Sequence, residues 1–232
     1  MNDNLTPAAR TVKLLTGDRT NTVDAIVETD LRANVLAELE NQWGELRRAG
    51  NQRLEREGHG EQCEHGHWAW DREHKMIGVT EKRFRLLGVR TGTEWQAAMS
   101  VYREPVNAHL WPRWRQLLFE VFGFGCRPQV IYVDYIETAP WNSESFVHPN
   151  FRRYRRAGGI LMLEAIRLSV EMGLQGRVGL HSLAGSERFY KGLGMTRLFE
   201  DRDPRSSTRG CWYYELSIKA AQSLIDGRTT GG

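Results

Sequence analysis

In residues 129–138, QVIYVDYIET, apolar and aromatic residues dominate both faces, and this run constrains the fold more than any other. A strand with one face in water alternates polar and apolar residues. One that is apolar throughout belongs inside a sheet covered on both sides. Pro140 stops it. After a loop over 141–157 the chain enters a helix at 158–172 (GGILMLEAIRLSVEM), closed by Gly173. A short strand at 177–182 comes next. A short helix at 186–193 then has Ser186 as N-cap and Gly194 past its end. Strands at 196–199 and 211–216 and a helix at 218–225 complete the pattern.

Upstream, RFRLLGVR, a Thr91-Gly92-Thr93 turn and the alternating Trp95, Ala97, Met99 and Val101 read as a hairpin over 83–102. Leu31, Val35, Leu36, Leu39, Trp43 and Leu46 make a helical stripe, with Asp30 as its N-cap and Gly50 as its stop. A second helical stretch falls at 110–122, with Trp114 on its apolar side. Residues 51–66 read as an exposed loop and 22–27 as a short strand. The expectation is an α+β fold: a central mixed, mostly antiparallel sheet flanked by helices, with an N-terminal helical extension. Residues 1–21 are expected to be a flexible arm, 22–226 a single domain and 227–232 a disordered tail.

Composition narrows the function classes. With 40% hydrophobic and 26% charged residues the chain reads as globular, and a net charge of +3 is too small to argue for nucleic acid by itself. No apolar run is long enough to span a bilayer, and MNDNLTPAAR carries no apolar signal core. Cys63, Cys126 and Cys211 are scattered and odd in number, which suits free thiols in a reducing compartment. A cytoplasmic protein is expected, with no membrane partner.

The chemistry concentrates where the loop meets the helix. Arg155, Arg156, Ala157, Gly158 and Gly159 stand at a helix start. Such a start offers unpaired N–H groups and a positive dipole end, glycines let a backbone approach a pyrophosphate, and arginines pair with phosphate. The bland alternative is a glycine-bearing helix start on a solvated basic loop.

This stretch resembles the acetyl-coenzyme A motif of GNAT acetyltransferases, Gln/Arg-x-x-Gly-x-Gly/Ala. Arg155 matches the first position and Gly158 the fourth, while Ile160 stands where the family prefers Gly or Ala. The loop from Trp141 to Tyr154 is also longer than the family's usual connection. Downstream, GLHSLAGSERFYKGLGM resembles the family's segment ending in Phe-Tyr-x-x-x-Gly-Phe/Met, matched by Phe189-Tyr190 and Gly194-Met195. The resemblance covers 129–216, the expected coenzyme A-binding core. It implies acetyl-CoA as co-substrate, with Arg155 to Ile160 at its diphosphate. It also implies that the backbone of Ile136 and Thr138 pairs with the pantetheine amides, and that Tyr190 is the general acid for the departing thiolate.

The acceptor amine must also lose a proton. Asp134 and Glu137 have opposite parity on the strand, so they point to opposite faces. Asp134 shares a face with Ile136 and Thr138 and is the first candidate base. Glu137 is the second, and either acid could instead sit in an ion pair. Trp111, Trp114 and Trp141 could wall the acceptor pocket; Trp141, just after Pro140, is the better candidate, and Trp114 is more readily assigned to core. The cluster His59, Cys63, His65, His67 and His74 matches no zinc spacing, and no metal is expected. Cys126 and Cys211 have no His or Asp partner at a recognisable spacing.

The reading is an N-acetyltransferase acting on a primary amine, small or macromolecular, by direct attack. Alternatives are a non-catalytic acyl-CoA sensor, or an aminoacyl-tRNA-acetylating toxin that uses the arginines at 152–156. A homodimer is left open.

Overall fold

The computed structural model describes residues 9–58, 69–110, 127–143, 146, 152–203 and 208–227. Two compact units emerge: Met1–Arg103 with Tyr135–Met162, and Glu104–Asp134 with Leu163–Gly232.

The first unit opens with β1 (Ala9–Thr16) and β2 (Thr22–Glu28), paired antiparallel from Ala9↔Glu28 to Leu15↔Thr22. Residues 1–21 were expected to form an arm. Ala9–Thr16 instead form a strand, because they gain a ladder with β2 and Leu14 gains a buried position. Helix α1 (Asn34–Arg56) follows, then α2 (Glu73–Thr80), which the sequence reading lacks. Strands β3 (Phe84–Thr91) and β4 (Glu94–Tyr102) form the expected hairpin, and β2 pairs with β3.

Three details of α1 depart from expectation. Its N-cap residue is Ala33, without a side-chain cap. Asp30 instead adopts φ 56° and binds Arg85 at 3.1 Å and Arg103 at 2.8 Å. Gly50 does not end the helix. A Cβ there would lie 2.3 Å from the Phe146 ring, so the glycine is a packing contact and the helix runs on to Arg56. Leu46, counted in the apolar stripe, is half exposed, and Arg47 takes the buried position beside it. Leu31, Val35, Leu36, Leu39 and Trp43 do form the core, packed with Trp70, Leu86, Trp95, Ala98, Tyr135 and Ala139.

The second unit holds β5 (Val106–Asn107), antiparallel on the first residues of β6 (Gln129–Thr138). Helix α3 (Ala157–Glu171) follows the two-residue strand β7 (Tyr154–Arg155), and β6 and α3 each contribute residues to both units. Then come β8 (Val178–Ser182), α4 (Glu187–Gly192), β9 (Thr196–Glu200), β10 (Trp212–Glu215) and α5 (Ile218–Ile225). β10 pairs antiparallel with both β8 and β9, whereas β6 and β8 run parallel. The fold is thus mixed and mostly antiparallel, flanked by helices, as read from the sequence. Gly173 and Gly194 follow α3 and α4 with φ of 77° each, the left-handed conformation that ends a helix. The Ser186 side chain makes no cap bond. Among the described residues no helix is long and apolar enough to cross a membrane. The stretches at 1–8, 59–68, 111–126 and 228–232 lie outside the described residues. With them go Trp111, Trp114, Cys63, Cys126, His59, His65, His67 and the expected tail.

Candidate functional site

In the first unit, the glycine turn is built on a docked hairpin. β7 pairs with β1 at Leu15↔Arg155 and Thr16↔Tyr154. The Gly17 amide donates to the Arg153 carbonyl at 2.9 Å, and Arg155 Nε donates to the Gly17 carbonyl at 2.8 Å. A Cβ at Gly17 would fall 1.5 Å from the Arg152 carbonyl oxygen, so only glycine lets the two backbones meet. Arg155, expected at the diphosphate, thus also anchors the β1–β2 turn. Its neighbour Arg156 is exposed and takes φ 71°, a left-handed conformation that costs a non-glycine residue about 1–2 kcal/mol.

Helix α3 begins at once, with Ile160 N–H donating to the Arg156 carbonyl at 3.0 Å. The amides of Ala157, Gly158 and Gly159 precede that first helical bond and have no partner within the helix. Ala157 and Gly158 are buried, while Gly159 and Ile160 are half-buried. Around Gly159 the space is open: a Cβ there would meet nothing within 4 Å. Among the described residues no packing requires that glycine, although glycine inside a helix costs roughly 0.5–1 kcal/mol relative to alanine.

On β6, burial alternates. Val133, Tyr135 and Glu137 are buried, whereas Tyr132, Asp134, Ile136 and Thr138 are half-buried. The expected pantetheine strand positions, Ile136 and Thr138, lie on the more open face. Trp141, the expected pocket wall, sits on the helical turn Pro140–Asn142. Its indole donates to Gln96 Oε1 at 2.9 Å, and the Arg153 guanidinium lies 5.0 Å from its ring centroid. Asn142 donates to the same Gln96 oxygen at 2.9 Å and accepts from the Tyr154 amide at 2.9 Å, which ties the long loop back to its start.

Glu137 lies in a buried polar network that the sequence does not announce. Its carboxylate accepts from Arg47 at 3.2 Å, Trp70 Nε1 at 2.7 Å and Tyr135 Oη at 3.0 Å. Arg47 also pairs with Glu40, whose carboxylate accepts from the Trp70 amide at 3.1 Å. Lys75 Nζ stands 4.8 Å and 4.0 Å from the ring centroids of Trp70 and Tyr135 and donates to the Ala69 carbonyl. Burial works against the Arg47 charge, but the carboxylates of Glu137 and Glu40 outweigh it and hold the guanidinium above its ordinary value. Burial, then the Glu137 charge, keep the Tyr135 phenol neutral well above its ordinary range. Glu137, the second acid on β6, is thus held by Arg47, Trp70 and Tyr135 inside the first unit.

In the second unit, the β6–β8 ladder has three rungs, Ile131↔Val178, Tyr132↔Gly179 and Val133↔Leu180. Asp134 on β6 and His181 on β8 come next along their strands. Tyr132 Oη and His181 Nδ1 are 2.7 Å apart. Tyr190 is buried on α4, its ring 5.1 Å from Phe189 and 5.8 Å from Tyr214. Glu215, fully buried, accepts from the His109 and Leu110 amides and pairs with Arg177 at 2.8 Å. The sequence reading missed His181, Tyr132, Arg47 and Glu40. Only His181 carried a signal, as a histidine inside a strand directly upstream of the matched Phe189-Tyr190 segment. Among the described residues no group of three His, Cys, Asp or Glu could hold a metal ion, and Cys211 is a buried free thiol.

No protein-family model matches the chain, and no curated protein matches it. Solved structures similar to it include one described as a bacterial toxin, at 13% identity and TM-score 0.49, covering 95% of this chain and 97% of that one. Another is a GCN5-related N-acetyltransferase from Ralstonia eutropha JMP134, at 12% identity and TM-score 0.47, covering 78% of this chain and 97% of that one. A third is the Bacillus subtilis N-acetyltransferase YlbP in complex with coenzyme A, at 13% identity and TM-score 0.43, covering 91% of this chain and 96% of that one.

Proposed function

We propose that this protein is an acyl-CoA-dependent N-acetyltransferase that moves the acetyl group of acetyl-CoA to a primary amine by direct attack. The observation that carries the reading is Gly159. It stands in the first turn of α3 beside open space, three residues after a strained Arg156, and among the described residues no atom needs it to be glycine. A glycine kept at a stability cost next to unpaired amides and an exposed arginine fits a backbone surface reserved for a phosphate. The amides of Ala157, Gly158 and Gly159 take the diphosphate, with Arg156 adding charge and Arg155 holding the turn in shape. Ile136 and Thr138 offer strand backbone to the pantetheine. Tyr190 protonates the departing thiolate, and Asp134 comes before Glu137 as the acid near the amine, because it shares the more open face of β6 with Ile136 and Thr138. Trp141 borders the acceptor.

The test uses the same glycine. Gly159→Ala should raise the unfolding free energy by about 0.5–1 kcal/mol while weakening acetyl-CoA binding, read by calorimetry, about tenfold. Stabilisation with unchanged affinity would reject the diphosphate assignment. Acetyl-CoA binding without thiol release across an amine panel would favour the sensor reading instead.

A further inference from the structure

We infer that His181 is the base that takes the proton from the attacking amine, oriented for it by Tyr132; this rests on the acetyl-transfer reading above. Every group concerned belongs to the second unit. The parallel β6–β8 ladder ends at Val133↔Leu180, and the first residues past that rung are Asp134 and His181. Parallel strands that stop pairing while both continue leave a notch at the last rung, and its two lips here carry a carboxylate and an imidazole. The imidazole is fixed in orientation. Its Nδ1 lies 2.7 Å from Tyr132 Oη, on the same β6 face as Asp134. Its Nε2 is buried yet makes no hydrogen bond among the described residues. A buried ring nitrogen without a partner is costly, which points to a ligand as the missing partner.

The surroundings suit a neutral ring. Tyr213 on β10 lies 5.1 Å from His181 and Phe199 on β9 lies 6.3 Å away, both centroid to centroid. His109 packs against those same two rings at 5.0 and 4.9 Å. The titratable groups acting on His181 are Tyr132 from β6, Tyr213 from β10, Asp201 just past β9 and His109 from the segment after β5. Burial is the largest influence and pushes the imidazole below its ordinary value. Asp201 pulls it up and His109 pushes it down. A neutral imidazole that donates its Nδ1 proton to the Tyr132 oxygen presents a lone pair at Nε2.

The step balances. The amine nitrogen attacks the thioester carbonyl carbon, forming C–N, and Nε2 takes the amine proton. The C–S bond breaks and the thiolate takes a proton from Tyr190. The proton on His181 then returns through solvent to the tyrosinate. The net change is amine plus acetyl-CoA to amide plus coenzyme A thiol.

The test compares the wild-type chain with His181→Gln, Tyr132→Phe and Asp134→Asn. Acetyl-CoA is the donor, and spermine, a lysine peptide and an aminoglycoside are the acceptors. The wild-type pH–rate profile should rise through a pKa below 6.5, the ordinary histidine value. His181→Gln should lower kcat at least about 100-fold and abolish that rise, with acetyl-CoA affinity unchanged within about twofold. Tyr132→Phe, the positioning variant, should move the rise and lower kcat about tenfold without changing KM for acetyl-CoA. If His181→Gln keeps wild-type turnover and profile while Asp134→Asn does not, Asp134 is the base and this inference fails alone. Absence of transfer by the wild type would overturn the acetyl-transfer reading as well. Should the glutamine variant not fold, proton NMR of the wild-type His181 ring decides. A pKa at or above 6.5, unmoved by coenzyme A, would sink the assignment.

Discussion

Glu137 illustrates how one residue's role is set by partners far away in sequence. Its carboxylate is ringed by Arg47, Trp70 and Tyr135, and the two residues nearest in chemistry, Arg47 and Glu137, are separated by 90 positions. From the strand alone, only the face shared with Ile136 and Thr138 puts Asp134 ahead of Glu137, because parity gives the face but not its occupants. Arg47 is harder still to foresee, since a stripe of apolar residues on α1 predicts Leu46 rather than Arg47 at the buried position. The energetic consequence is specific. Arg47 bridges Glu40 and Glu137. Arg47→Met should therefore leave the buried Glu137 carboxylate without that partner, while Glu40 keeps Arg48, and cost about 3–5 kcal/mol in urea denaturation. The double variant Arg47→Met/Glu137→Leu should be less destabilised than the single Arg47→Met, because one stranded charge is gone. A double variant as unstable as the sum of the two singles would mean that the pair is uncoupled.

At the scale of elements, the sequence was most legible where periodicity and punctuation agree. The strand at 129–138 matches β6 (Gln129–Thr138), and the helix at 218–225 matches α5 (Ile218–Ile225). Apolar residues on both faces, or a clean amphipathic stripe after a serine cap, leave little choice of structure. Legibility fell where an element depends on a distant contact. β1 reads as a polar arm because four of its eight residues are exposed, and its identity as a strand comes from β2 and β7. Gly50 reads as a stop because its reason to be glycine, the Phe146 ring, is invisible locally. Gly17 belongs to the same class and yields a prediction for the element it serves. An alanine Cβ would overlap the Arg152 carbonyl, so the β1–β2 turn must lift from β7 and release the Arg155 contact. Gly17→Ala should cost about 1–3 kcal/mol of stability. It should also weaken acetyl-CoA binding about tenfold, because Arg155 and the α3 start lose their support. Calorimetry and thermal unfolding measure the two effects, and an affinity equal to the wild type would detach the hairpin from the turn proposed to hold the cofactor.

For the whole molecule, each compact unit contains one buried phenol beside a buried carboxylate: Tyr135 with Glu137, and Tyr213 with Glu215. Burial, and then the neighbouring negative charge, hold both phenols neutral well above their ordinary value of 10.0. In the unfolded chain both ionise near that value. The folded state therefore binds more protons than the unfolded state above pH 10, and unfolding free energy must fall as pH rises through this range. Below it the two states carry the same phenol protons, and the tyrosines contribute no pH dependence. Each phenol should remove about 1 kcal/mol between pH 10 and about pH 11, so the pair should remove about 2 kcal/mol. Tyr135→Phe and Tyr213→Phe should each remove about 1 kcal/mol of that alkaline decline. Urea midpoints across that pH range give the slope, and absorbance at the tyrosinate band gives the ionisation directly. Native protein whose buried tyrosines ionise together with the exposed ones would mean that water reaches these carboxylate–phenol pairs, and the packing assigned to both unit cores would then be wrong.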